Sequence, residues 1–223
     1  GGQPVLEVIF QRLPNTILLA TSAMMIAILL GVPLGFLAAY NKGTISDTFI
    51  MILAISGISM PHFWLGLILL FIFAVDLGWL PVSGSGLLNL VLPALTLGIS
   101  NAAIFARLTR TSMIEILQQD FVITALAKGL PKKYVLRKHV LRAGLIPLVT
   151  MMGMQFAFMM GGAIVVENIF SWNGVGRMAV EAIFQRDYPI IQGFILTFSV
   201  IVVFVTISLD VIYAFIDPRI RRS

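Results

Sequence analysis

Residues 120–147 read DFVITALAKGLPKKYVLRKHVLRAGLIP, the one long polar run of an otherwise apolar chain, and they carry six of its fifteen Lys and Arg residues. Such a run faces water, and its excess of basic side chains places it on the cytoplasmic side of a membrane. The small residues Thr124, Ala125 and Ala127 lead to Gly129, with Pro131 two places on. That spacing predicts a short helix ending near Gly129 and a second beginning at Pro131. Beyond Pro131 the apolar Tyr134, Val135, Leu141 and Leu145 alternate with Lys132, Lys133, Arg137, Lys138 and Arg142, the pattern of a helix half in protein and half in water. An element of this kind suits a partner's groove. A polybasic segment that binds anionic lipid is the alternative.

Composition sets the class around this run. The 223 residues are 59% hydrophobic and 11% charged, against about 25% charged in soluble domains. This is the composition of a membrane protein. The formal charge of +5 sits at the ends of apolar spans, where orientation in a bilayer accounts for it, so nucleic acid is not an expected partner and lipid is. With no cysteine, disulfides and thiolate metal sites are excluded. The eleven Met residues fall mostly inside the spans, as flexible apolar filler.

Five apolar stretches are long enough to cross a bilayer, approximately 16–40, 48–75, 89–106, 143–166 and 188–209. The expected fold is therefore an all-α polytopic transmembrane bundle, a single domain over residues 1–223 with the water-facing loop at 120–142 inside it. With the first span running inward, twelve basic residues lie inside and only Arg12, Arg177 and Arg186 outside, which fixes the orientation. The opening Gly1-Gly2-Gln3 has no signal-peptide character, so an outside N-terminus implies a preceding span.

Several stretches together resemble one family. TALAKGL followed by HVLRAGLIP is similar to the cytoplasmic coupling loop of ABC importer permeases, in the form found in the dipeptide, oligopeptide and nickel branch. Ile123 stands where the general loop pattern has Glu. Residues 3–16 (QPVLEVIFQRLPNT), 59–66 (SMPHFWLG), 167–177 (ENIFSWNGVGR), 186–189 (RDYP) and 217–222 (DPRIRR) resemble the same branch. The resemblance implies a six-span core with one helix before this chain, and a permease that takes its energy from a separate ATPase. It also implies the partners: a second homologous permease in a heterodimer, two ATP-binding subunits that hold the ATP and Mg, and an extracytoplasmic binding protein. The residues it assigns to coupling are Thr124, Ala125, Ala127, Lys128, Gly129, Lys132, Lys133 and Arg137.

The second span is interrupted at Ser56-Gly57-Ile58-Ser59-Met60-Pro61-His62. Pro61 removes a backbone donor, a break tolerated inside a membrane only where protein or a water-filled cavity satisfies it. Ser56, Ser59, Met60 and Pro61, with Gln155 of the fourth span, are the candidate wall of a translocation route; a packing kink is the alternative. His62 stands without a second ligand at metal spacing, and no metal site is assigned. Arg107, Arg110, Glu115 and Asp120 are spaced for local pairing, and Gly153, Gly161 and Gly162 for close helix approach. Trp172 to Gly176 reads as a turn before an outer amphipathic helix with Val175, Met178, Ala179, Ala182 and Ile183 on one face. Asp210 is placed to pair with Arg219.

The sequence has no Gly-Lys-Ser/Thr phosphate loop, HExxH, GxSxG or paired catalytic carboxylates. No catalytic residue and no cofactor of its own are assigned. The reading is a permease subunit of an ATP-driven, binding-protein-dependent importer of short peptides in a bacterial or archaeal inner membrane, with nickel or a metal chelate as alternative cargo. An ion-coupled secondary transporter is the alternative of another class; it calls for intramembrane carboxylates or paired broken helices, and only Asp210 is available.

Overall fold

The computed structural model describes residues 4–84, 86–136 and 140–216, apart from the side chains of Lys132, Lys133, Arg142, 145–147, Thr150 and 209–216. The expected roles of Lys132, Lys133 and Arg137 and the Asp210–Arg219 pair lie outside these described residues. Helix α1 covers Val5–Tyr40, α2 Ile45–Ser59 and α3 His62–Leu70, the last widening into a π turn over Phe71–Asp76. Then come α4 (Leu87–Leu117), α5 (Asp120–Ala127), α6 (Lys132–Val135), α7 (Leu141–Ile169), α8 (Val175–Gln185) and α9 (Tyr188–Ile216). Four helices are long and apolar enough to span a membrane, and α2 with α3, bent by 100° at the break, makes a fifth. The five-span expectation holds. The first helix, however, starts at Val5 rather than near Thr16 and runs through Pro14 and Pro33.

The bundle is built on α1 against α4. Both helices carry small residues every fourth position: Ala23, Ala27, Gly31, Gly35 and Ala39 on one, Ala94, Gly98, Ala102 and Ala106 on the other. Small residues at this spacing let backbones touch, the main source of helix association where lipid is as apolar as leucine. A Cβ on Gly31 would run into the Ala102 carbonyl, one on Gly35 into the Ala106 carbonyl, and one on Gly98 would stand 2.7 Å from Ile26. Of the glycines of α7, Gly161 and Gly162 do not do this work, whereas a Cβ on Gly144 would run into the Met113 side chain of α4. Gly162 makes only ordinary contact with Leu97, and Gly161 has open space before it.

Around this pair, Leu19, Leu92, Leu97, Phe105, Met159 and Val166 form the main core, which α7 closes. A second core, at the end of the bundle where α5 lies, joins Ala39, Met113, Ile116, Val122, Val135, Leu136 and Leu148. It is what seats the polar loop on the bundle.

Candidate functional site: a broken span and an exposed apolar helix

Helix α2 starts at Thr44, whose side chain accepts the Asp47 N–H, and stops at Ser59 because Pro61 has no N–H for the Gly57 carbonyl. The Met60 N–H still closes on the Ser56 carbonyl at 3.2 Å, and the chain then turns into α3. A groove of about 260 Å³ opens at the bend, lined by Gly57, Ile58, Ser59, Met60, Pro61 and His62 of the break and by Ser100 and Ile104 of α4. The groove hydroxyls bond their own helices, Ser59 to the Ile55 carbonyl at 2.9 Å and Ser100 to the Thr96 carbonyl at 3.2 Å. Ser56 is exposed and does not line the groove.

Gln155 does not line this groove. Its amide donates to Asn101 Oδ1 at 2.5 Å, and Asn101 in turn donates to the Leu97 carbonyl. The two amides satisfy each other between α7 and α4, which is what polar groups inside a bundle require. Neither Asn101 nor Ser100 of α4 is marked by any motif in the sequence.

At the far end of the bundle from α8, α5 ends as expected. The Gly129 N–H bonds the Leu126 carbonyl, the Leu130 N–H bonds the Ala125 carbonyl, and Gly129 takes φ +79°. This is a Schellman ending, which glycine accommodates without the clash a Cβ would cause. Val122 is buried in the second core and Ala125 packs against that core, so Ala125 faces the bundle and not outward. Thr124, Ala127, Lys128 and Gly129 are exposed. So are four large apolar side chains, Phe121, Ile123, Leu126 and Leu130, with Ile123 56% exposed. A short helix apolar on nearly every side has one face more than its own bundle can cover.

Sequence-local pairing is not how the end of α4 is arranged. Arg110 reaches across to Asp47 at the start of α2, with Nε donating to Oδ1 at 2.6 Å and Nη2 to Oδ2 at 2.8 Å. Among the described residues no ion pair joins Arg107, Glu115 or Asp120. At the opposite end, Glu167 is wholly buried. It accepts from the Thr16 hydroxyl at 2.6 Å and from the Arg177 N–H at 2.9 Å, and so caps the first turn of α8. The Trp172 indole N–H donates to the Asn15 carbonyl, and Arg177 and Arg12 both meet Glu181. The buried face of α8 is Val175, Gly176, Met178, Ala179 and Ala182. Ile183, expected on that face, is 57% exposed.

An exposed apolar helix at one end of a bundle with a broken span is an arrangement that comparison can place. The model of the binding-protein-dependent transport system inner membrane component matches residues 31–222. The chain belongs to that family. The glutathione transport system permease protein GsiC of Salmonella paratyphi A is 45% identical over 220 residues, covering 98% of this chain and 72% of the relative. The GsiC protein of Escherichia coli strain K12 is 44% identical over the same shares. Solved structures agree on the fold. An inward-facing MetNI methionine ABC transporter superposes with a TM-score of 0.83 at 16% identity, over 97% of this chain and 100% of that one. An amino acid ABC transporter gives 0.73 at 14% identity, over 94% of each chain. This permease is thus an inner-membrane component of a binding-protein-dependent transport system, and the permease family read from its sequence holds.

Proposed function

We propose that this permease and a second, homologous one form a heterodimeric pathway for short peptides, glutathione among them, driven by two ATP-binding subunits and supplied by an extracytoplasmic binding protein. ATP and Mg belong to the partner subunits. The observation that carries this reading is α5: an apolar, water-facing helix seated on the inner ends of α1, α4 and α7 and ended at Gly129. Contact is the means by which a chain without a nucleotide site takes up work from ATP. Thr124, Ala127 and Lys128 would meet the ATP-binding subunit together with Phe121, Ile123 and Leu126; Ala125 would hold the helix to its own bundle. Ile123, where the general pattern has Glu, suits an apolar rather than a basic pocket on that subunit. The open flank of α7 at Gly161 suits the second permease.

The groove at the broken span is the proposed route, with Ser59, Met60 and Pro61 on one wall and Ser100 on the other. Gln155 would hold the α4 wall through Asn101 rather than touch cargo. The 45% identity to a glutathione permease supports a peptide over nickel, and a binding assay on the cognate binding protein with dipeptides and nickel separates the two. For the energy source, the assembled complex in proteoliposomes is expected to take up glutathione with ATP and with no loss on adding a proton ionophore. Uptake without ATP that collapses with the ionophore would favour the secondary transporter.

A further inference from the structure

Helices α2 and α4 lie along each other from the cytoplasmic end to the groove, and the contact changes character on the way. Near the groove it is small and smooth: Met51 and Ala54 of α2 meet Ala103 and Ala106 of α4, and a Cβ on Gly57 would stand 3.0 Å from Ala103. Such surfaces fix distance but resist sliding weakly, since each atom contact is individually small. At the inner end the contact is polar and directional. Arg110 grips Asp47 with two parallel hydrogen bonds, the geometry that defines orientation as well as distance. The carboxylate is fixed in turn by the Gly43 N–H at 2.9 Å, and its side chain is nearly buried. Among the described residues the other ion pairs are at the outer end, so this is the one that ties α2 to the inner end of α4.

Arg110 stands two turns before the end of α4, which leads through Gln118 and Gln119 into α5. Asp47 opens the helix whose other end is the break at Ser59 to Pro61. We propose that Asp47 and Arg110 form a strut that carries movement of α5 into α2, and so to the broken span that lines the groove. The pair are positioning residues: neither lines the groove, and they act by making α2 follow α4. The inference rests on the docking of α5 to an ATP-binding subunit proposed above.

Because the chain has no cysteine, Met60→Cys gives a single reporter thiol at the groove. In the complex with its ATP-binding subunits, its rate of modification by a water-soluble maleimide is compared between the nucleotide-free state and the state trapped with ATP and vanadate. The unaltered strut is expected to give a several-fold difference between states; Asp47→Asn and Arg110→Gln are each expected to shrink it to within twofold while the ATP-binding subunit stays bound. Thr44→Ala removes the side-chain cap of α2 but not the pair, and should keep the difference. Exchanging the charges, Asp47→Arg with Arg110→Asp, should regain part of it. If Arg110→Gln fails to fold, Arg110→Lys keeps the charge without the two-pronged grip and should give an intermediate difference. A full difference in Asp47→Asn, Arg110→Gln or Arg110→Lys, or no difference with the strut intact, overturns the proposal. An ATP-binding subunit that does not bind the unaltered chain overturns the docking reading and the strut with it.

Discussion

Gly35→Ala is expected to destabilise the bundle by about 1 to 3 kcal/mol, the range for overpacking a filled interior, whereas Gly161→Ala is expected to cost nothing. Both changes add one methyl group to a spanning helix. At Gly35 the new Cβ meets the Ala106 carbonyl oxygen and Thr109, and the obstacle is backbone that cannot swing aside. At Gly161 nothing lies within 4 Å, and alanine is the better helix former by about 1 kcal/mol. Thermal unfolding of the detergent-solubilised chain reads the contrast as a lower midpoint for Gly35→Ala alone. Adding Gly31→Ala, which strikes the Ala102 carbonyl one turn away, should lower it further. Equal midpoints for Gly35→Ala and Gly161→Ala would show that the α1–α4 contact does not hold the bundle.

Gly129→Asp is expected to leave the permease inserted and folded but to cut uptake per ATP hydrolysed, or binding of the ATP-binding subunit, by about tenfold. Two effects add there. A side chain at φ +79° strains the backbone by about 1 to 2 kcal/mol, where 1.4 kcal/mol corresponds to tenfold. A carboxylate at the exposed end of α5 also puts charge into the face that would meet the partner. The control belongs at the outer end, but Arg177 is unsuitable because its guanidinium holds Glu181 and the Ser171 carbonyl. Gln185, exposed on the same helix, serves: Gln185→Lys should leave coupling unchanged. Normal uptake per ATP and normal binding by Gly129→Asp would leave lipid attraction as the better account of the basic loop.

What was legible in the sequence was mostly what is local. A small-residue run stopped by Gly129 and followed by Pro131 announces a helix end, and the backbone takes the left-handed turn that pattern calls for. Pro61 likewise marks the break, since one missing N–H is enough to stop a helix. The 100° bend was not legible, because it depends on what α2 and α3 pack against. Pairings distant in the chain were missed for the same reason. Glu115 and Asp120 were near Arg110 in sequence, yet Asp47, 63 residues away, holds it. Glu167 was quoted only as part of a motif; that Thr16 and the first turn of α8 would converge on it required the fold. The α1–α4 stripes are different. Their four-residue spacing is visible in the sequence, and Gly161 and Gly162 drew attention to the wrong helix.

If α5 is the surface through which an ATP-binding subunit drives this permease, that subunit lies against it. This is tested most directly by asking what lies against that helix in the assembled complex. A single Ala127→Cys, exposed on α5, is labelled with a photoactivatable benzophenone maleimide, and a single Asn173→Cys at the outer end is labelled in the same way. On illumination the account predicts an adduct between the permease and the ATP-binding subunit from Ala127→Cys and none from Asn173→Cys. Adducts with lipid alone from Ala127→Cys, or with the ATP-binding subunit from Asn173→Cys, would contradict it.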